Sequence, residues 1–297
     1  MGGVHHLRVY RPAEHVVAFY DGRVEGYRFA EGSNWVDDGA LSLGICSYAI
    51  VDGEQALVYD TQVSVEHASF IRRTLENEGA REFTVVLSHW HLDHVAGTAA
   101  FDGCEVIASE RTAELLETHR AAIESGSHEG PPQIKPLVLP TRVFSGREQL
   151  TIGRIQVDLI QVDIHSDDAT VIWLSEQRLL LAGDTMEDPI TYVGEPERFD
   201  SHLTDLERLW QLGPERILPN HGDPDVIARG GYARDLIRAT QQYIDVLQRC
   251  RAEPGLRTAG LRELIAEPLE AGWINYFAPY EAVHEANLAT VLEQSPV

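Results

Sequence analysis

Short apolar runs recur along the first two thirds of the chain, and segments with helical spacing of apolar residues separate them. Runs of β-branched and apolar residues between turn residues are typical of buried strands. This pattern predicts strands at 47–51, 56–59, 84–87, 106–108, 155–162, 169–174 and 179–182, and a shorter apolar pair at 217–218. Strands that alternate with helices predict the α/β fold class.

Three segments between these strands have the spacing of amphipathic helices. They lie at 64–77, 111–123 and 202–212. Gly79 follows the first of them and is placed to end it, because glycine readily adopts the left-handed conformation found after helices. Residues 125–132 are rich in Gly, Ser and Pro and predict a loop, which is a candidate lid over a site.

The chain divides by pattern into a strand-rich part and a helical part. From residue 225 to the end the pattern is mainly helical, with breaks at Pro254 and Pro279. We therefore expect a domain over 1–225 and a helical region over 226–297 that packs on it and helps to shape its pocket.

Two predicted strands end in the same way, one in each half of the strand-rich part. Asp60-Thr61 follows one of them and Asp184-Thr185 follows the other. This repetition indicates a duplicated β/α unit. Two such units predict two sheets between helical layers, which is a four-layer αββα sandwich, with the helical C-terminal region as an extension.

The segment Ser88-His-Trp-His-Leu-Asp-His94 directly follows a predicted strand and holds four side chains that can bind metal: His89, His91, Asp93 and His94. Imidazole and carboxylate ligands suit zinc, iron or manganese. Four ligands at a strand-to-helix junction indicate a site for two metal ions.

The HxHxDH motif resembles that of the metallo-β-lactamase superfamily. The resemblance implies three further ligands, each in a matching local sequence: His165 for the first metal, Asp184 as the bridge and His221 for the second metal. It also implies that Asp60 supports the metal ligands without being one. His128 lies in the candidate lid loop, and we expect it not to be a ligand.

The composition of the chain limits the classes of binding partner that we expect. The net charge of −23 opposes binding to nucleic acid and to anionic membranes. There is no apolar run long enough to span a membrane and no signal-like N-terminus, so we expect a cytoplasmic protein. We expect it to act on a small-molecule substrate, and a homodimer is a possible oligomeric state. Three widely separated cysteines, Cys46, Cys104 and Cys250, argue against a disulfide framework and a thiolate metal site.

These features together predict a dinuclear metal-dependent hydrolase. Its cofactors would be two divalent ions, with zinc expected and iron or manganese as alternatives. A hydroxide bridging the metals would attack the substrate, and Asp93 would also orient it or move a proton. The expected bond is ester-like, in a carboxylic ester, lactone or thioester. The aromatic residues at 273, 276, 277 and 280 are candidates for the pocket wall, although core packing is the more common role for such side chains.

Three other functions remain open from the sequence. The same site could act on a phosphodiester, because the fold does not select the bond. A regulatory protein could use the hydrolase fold to bind a ligand without turnover. An iron oxidoreductase is the third alternative, although the full ligand set and the lack of a flavin-binding domain disfavour it.

Overall fold

The computed structural model describes residues 3–293, and within them the strands form two β-sheets. The first sheet contains, in spatial order, β1 (Arg8–Ala13), β2 (Val16–Asp21), β3 (Ile45–Asp52), β4 (Gln55–Tyr59), β5 (Glu82–Val86), β6 (Glu105–Ser109) and β7 (Arg142–Phe144). The second contains, in spatial order, β8 (Arg147–Ile152), β9 (Ile155–Gln161), β10 (Thr170–Leu174), β11 (Leu179–Gly183), β12 (Arg216–Pro219) and β13 (Tyr232–Ala233).

Helices connect the strands and cover the sheets. They are α1 (Val65–Asn77), α2 (Leu92–Val95), α3 (Glu110–Ser125), α4 (Phe199–Leu212), α5 (Pro224–Ala228), α6 (Leu236–Cys250), α7 (Leu261–Leu264), α8 (Ala266–Glu270) and α9 (Tyr280–Glu293). Among residues 3–293, none of the helices combines the length and the apolar composition that crossing a membrane requires.

The two sheets contain equivalent central strands. β4 pairs antiparallel with β3 and parallel with β5. β11 pairs antiparallel with β10 and parallel with β12. Asp60 follows β4 and Asp184 follows β11, so the repeated Asp-Thr strand end corresponds to a repeated position in the fold. The prediction of two sheets with helices around them is confirmed.

β2 shows how both faces of a central strand become buried. Successive side chains of a strand point to opposite faces. Val17 and Phe19 pack in one apolar cluster with Ile71 of α1. Ala18 and Tyr20 pack in the other cluster, which contains residues of both sheets. Because each face has its own apolar partner, every residue of β2 is buried.

Three buried tyrosines of the first sheet tie it to the second half of the chain. The hydroxyls of Tyr20, Tyr48 and Tyr59 donate to the carbonyls of Gly222, Pro219 and Thr170, at 2.9, 2.5 and 2.5 Å. A buried hydroxyl without a partner would cost free energy, so these bonds fix how the sheets meet.

The predicted strands and helices are present, with bounds shifted by a few residues. Five strands were not predicted: β1, β2, β7, β8 and β13. β2 carried a usable signal, since it reads Val-Val-Ala-Phe-Tyr-Asp. β8 is an edge strand whose exposed positions are charged or polar, so its apolar content is low.

The C-terminal region is helical apart from β13, which extends the second sheet by pairing with β12. α6 packs on α4, and α9 packs on α6. The division of the chain at 225/226 stays a prediction.

Candidate metal centre

Five strand-end segments bring the predicted ligands to one edge of the two sheets. Asp60 follows β4, Ser88 to His94 follow β5, and His165 lies between β9 and β10. Asp184 follows β11 and His221 follows β12. Neighbouring parallel strands end at the same edge, so residues far apart in sequence meet there.

Six of the seven predicted ligands form two adjoining groups. The first group is His89, His91 and His165, and the second group is Asp93, His94 and His221. Within each group the ligating atoms lie within 4.8 Å of one another. In the first group, Nε2 of His165 lies 3.1 Å from Nδ1 of His91.

Asp184 lies between the two groups. Its Oδ2 atom is 3.7 Å from Nε2 of His89 and 3.8 Å from Nε2 of His165, in the first group. The same oxygen is 3.0 Å from Nε2 of His94 and 3.3 Å from Nε2 of His221, in the second. One carboxylate oxygen therefore faces both groups, which is the position of a bridging ligand.

Hydrogen bonds on the far side of the rings orient the imidazoles. Nδ1 of His165 donates to the carbonyl of Tyr192 at 3.0 Å, and Nδ1 of His221 donates to the carbonyl of Gly44 at 2.7 Å. A carbonyl only accepts, so each of these rings carries its proton on Nδ1. In the neutral form of each ring, Nε2 then presents its lone pair toward the centre.

Asp60 performs the supporting role that the resemblance implies. Its carboxylate accepts from Nδ1 of His94 at 2.9 Å and from the backbone N–H of Ser88 at 2.7 Å. It also accepts from the side-chain amide of Asn220 at 2.5 Å. Asn220 was not singled out from the sequence, although it directly precedes His221.

The residues fit a pair of divalent cations. Nε2 of His89 and Oδ1 of Asp184 are buried and have no hydrogen-bond partner among the described residues. Unsatisfied buried polar atoms are costly unless something else binds them. With five imidazoles and two carboxylates, the donor set suits zinc, iron or manganese.

Burial and nearby charges give the imidazoles of the two groups different protonation states. Burial lowers the pKa of all three imidazoles of the first group, in His91 to about 3, so these rings are neutral and able to bind metal. Burial alone would do the same in His94 and His221, but the facing carboxylates, Asp184 foremost, raise the pKa of both. These two rings carry protons that a bound cation would replace.

Two backbone features shape the centre: a close approach at Gly97 and a left-handed conformation at His165. A Cβ on Gly97 would lie 2.0 Å from the carbonyl oxygen of Thr61, so glycine is required for the segment after the HxHxDH motif to approach β4. His165 has φ of 71°. Non-glycine residues rarely adopt this conformation, and its presence at a ligand is typical of a functional site.

Members of both groups, together with Asp184, line a cavity of about 820 Å³. Its apolar and aromatic walls include Trp35, Leu43, Trp90, Tyr192, Pro279, Val283 and Ala286. Val283 and Ala286 belong to α9, so the C-terminal helices contribute to the wall. The aromatic candidates from the sequence are not part of it among the described residues; Tyr280 instead donates to Glu187 at 2.8 Å inside the protein.

Two other features lie outside this centre. Asp163, Glu195 and His202 could hold a cation together, but Arg198 already makes two hydrogen bonds to the carboxylate of Asp163. A cavity of about 960 Å³ between β9 and α4 contains none of the seven predicted ligands. His128 lines the cavity above the metal centre and belongs to no ligand group among residues 3–293.

A family model described as the metallo-beta-lactamase superfamily matches residues 43–221. Among curated proteins, the chain is 25% identical over 182 residues to "Beta-lactamase-like protein 2 homolog" of Drosophila melanogaster, covering 61% of this chain and 59% of that protein. It is 24% identical over 210 residues to the Caenorhabditis elegans protein of the same name, covering 69% and 66%. The match thus spans about three fifths to two thirds of the length of these relatives.

Solved structures share the fold. A metallo-beta-lactamase from Pontibacter korlensis superposes with a TM-score of 0.61 at 19% identity, covering 80% of this chain and 99% of that one. One from Hirschia baltica gives a TM-score of 0.56 at 16% identity, covering 80% and 97%. The family match contains all seven residues of the centre, from His89 to His221. The chain belongs to the metallo-beta-lactamase superfamily, whose members are mostly hydrolases.

Proposed function

We propose that the protein is a metal-dependent hydrolase of an ester-like bond in a small molecule, in a carboxylic ester, lactone or thioester. The observation that carries this proposal is the clustering of the seven predicted ligands, five of which line a cavity with apolar walls. A buried donor set that opens into a cavity is suited to metal-assisted hydrolysis.

The first and second groups would each hold one divalent cation, with Asp184 between them and zinc as the first candidate. Bound there, the cations would lower the pKa of water and polarise the bond under attack.

The chain's own residues prepare the reaction. Burial would raise the pKa of Asp93, but His94 and His221 lower it to about 2, so this carboxylate is ionised at neutral pH and can orient a water molecule by accepting a hydrogen bond from it. Asp93 is also partly exposed to the cavity, where a substrate would lie.

The cavity favours an ester over a phosphodiester. A phosphodiester carries a negative charge, and proteins usually bind such groups with Arg or Lys. The described residues that line the cavity include neither. Trp35 and Val283 present apolar surface that can hold an acyl chain and exclude water.

The test measures metal content and turnover in the same samples. Wild-type protein, Asp184→Ala and the control Glu54→Gln are supplemented with zinc or manganese, analysed for metal, and assayed with chromogenic carboxylic esters, thioesters, lactones and phosphodiesters. Glu54 is exposed and precedes β4 at the end of the sheet opposite Asp60.

We expect about two metals per wild-type and Glu54→Gln chain, with ester turnover, and a loss of both metal and turnover in Asp184→Ala. Turnover of phosphodiesters alone would overturn the proposed bond class. Wild-type protein that retains no metal after supplementation would overturn the hydrolase proposal.

A further inference from the structure

One carboxylate in the cavity has no cationic partner. Besides the metal centre, the lining includes Asp38, Glu129, Glu187 and Glu195. Asp38 pairs with Arg28 at 3.1 Å. Within residues 3–293, Glu129 forms no ion pair with Arg or Lys.

The other two carboxylates each have a partner. Glu195 forms an ion pair with Arg198, in which Oε2 lies 3.7 Å from Nε, although this oxygen accepts no hydrogen bond among the described residues. Glu187 is buried and accepts from the hydroxyls of Thr191 and Tyr280 and from the backbone N–H of Tyr192. Within residues 3–293, Glu129 is therefore the one of these four carboxylates with neither an Arg partner nor a hydrogen bond.

The imidazole of His128 lies beside Glu129 but does not neutralise the charge of its carboxylate. Nε2 of His128 lies 3.5 Å from Oε1 of Glu129. Burial, and then His119, lower the pKa of His128, so the ring is neutral at pH 7. Burial, and then Asp93, raise the pKa of Glu129 to about 6, which still leaves the carboxylate ionised at neutral pH.

The loop that carries Glu129 is held in place from both sides. His128 packs against the ring of Trp90, with ring centres 5.1 Å apart. On the other side, the backbone N–H and the indole N–H of Trp35 donate to the carbonyls of Pro131 and Pro132. Glu129 itself has φ of 55°, a strained conformation for a residue with a side chain. These contacts hold the backbone of the loop at the cavity, where the half-exposed side chain of Glu129 is part of the lining.

Aromatic rings lie in the same wall. Trp90 and Tyr192 line the cavity with Glu129. Burial, and then the charge of Glu129, raise the pKa of Tyr192. Aromatic rings beside a carboxylate attract alkylammonium groups, through the negative face of each ring and through direct charge attraction.

We propose that Glu129, Trp90 and Tyr192 form a subsite for a cationic group of the substrate, so that the ester cleaved at the metal centre carries an ammonium group. This inference rests on the proposed function. It names the substrate class: a small ester, lactone or thioester with a positively charged amine, in preference to a neutral or carboxylate-bearing analogue.

The first measurement is binding, which does not depend on turnover. Choline and its uncharged isostere 3,3-dimethylbutanol are titrated into zinc-supplemented wild type, Glu129→Gln and the control Glu54→Gln, with calorimetry and tryptophan fluorescence as readouts. We expect choline to bind wild type and Glu54→Gln about 5- to 30-fold more tightly than the isostere. Glu129→Gln should remove most of this preference.

The second measurement is hydrolysis of three acetate esters that differ only in a terminal trimethylammonium, tert-butyl or carboxylate group. We expect the cationic ester to have the highest kcat/KM. Glu129→Gln should raise KM for this ester and leave kcat and the neutral ester little changed.

The outcomes separate the two proposals. Selective choline binding that Glu129→Gln abolishes, without hydrolysis of any ester, would support the subsite and overturn the hydrolase. Hydrolysis of all three esters at equal efficiency would overturn the subsite and support the hydrolase. An equal fall in kcat for all three esters in Glu129→Gln would overturn the subsite, because it would make Glu129 a proton donor to the leaving group.

Discussion

Replacing Asp60 with Asn is expected to weaken metal binding without removing a ligand. The carboxylate of Asp60 accepts three hydrogen bonds, from the backbone N–H of Ser88, Nδ1 of His94 and the amide of Asn220. Asn offers one acceptor oxygen in place of two, so at least one buried donor would face an N–H group. If that donor is Nδ1 of His94, the ring can shift its proton to Nε2, the atom that faces the metal site.

The magnitude follows from the kind of contact that is lost. Removing a carboxylate that orients a ligating imidazole typically lowers metal affinity about 10- to 100-fold. That range corresponds to about 1.4–2.8 kcal/mol of binding free energy. The burial of Asp60 and His94 places the effect toward the upper end, because solvent cannot replace the lost acceptor.

The assay is competition for zinc between the protein and a chelating dye. Asp52→Asn is the matched control: Asp52 is also a buried aspartate, but it binds Arg154 at the end of β3 remote from the metal centre. We expect Asp60→Asn to lose affinity and Asp52→Asn to keep it. Unchanged affinity in Asp60→Asn, with a native circular dichroism spectrum, would refute the orienting role.

Three further predictions concern stability and protons. Tyr59→Phe should lower the free energy of unfolding in urea by about 1–3 kcal/mol, because the carbonyl of Thr170 loses its buried donor; an unchanged value would contradict this. Gly97→Ala should lower the unfolding free energy by about 1–3 kcal/mol and should also lower the metal content, because the added Cβ has no space. Full metal content in this variant would contradict the prediction. In the metal-free protein, the facing carboxylates raise the pKa of His94 and of His221. The stability that their positive charges contribute is therefore present below pH 6.5 and is lost as the pH rises through these raised pKa values. Zinc binding at pH 7 should therefore release protons, which calorimetry in two buffers of different ionisation enthalpy detects as buffer-dependent heat.

The local part of the metal centre could be predicted from the sequence. His89, His91, Asp93 and His94 lie within six residues, so their clustering needs no knowledge of the fold. The strand β5 before them is marked by its own apolar run. The more distant ligands could be recognised only because each follows a strand in the order that the superfamily resemblance implies.

The supporting residues could not be predicted in the same way. Asn220 is adjacent to a ligand in sequence, but only the folded chain brings its amide to Asp60. The carbonyl of Gly44, which orients His221, carries no side-chain signal at all. A backbone carbonyl becomes a partner through position alone, and position depends on the packing of two sheets.

The cavity wall shows most clearly which features the sequence determined and which depended on tertiary structure. Periodicity and composition determined the strands, the helices and the local ligand cluster, because these depend on neighbours within a few residues. The sequence offered the aromatic residues at 273, 276, 277 and 280 as candidates for the wall beside a role in core packing, and the described lining contains none of them. It marked residues 125–132 as a candidate lid, but it gave no sign that Glu129 would lie there without an Arg or Lys partner. Those features were decided by tertiary structure, since Trp35 and Trp90 hold the loop from distant parts of the chain, and the availability of a charge depends on every group that packs around it.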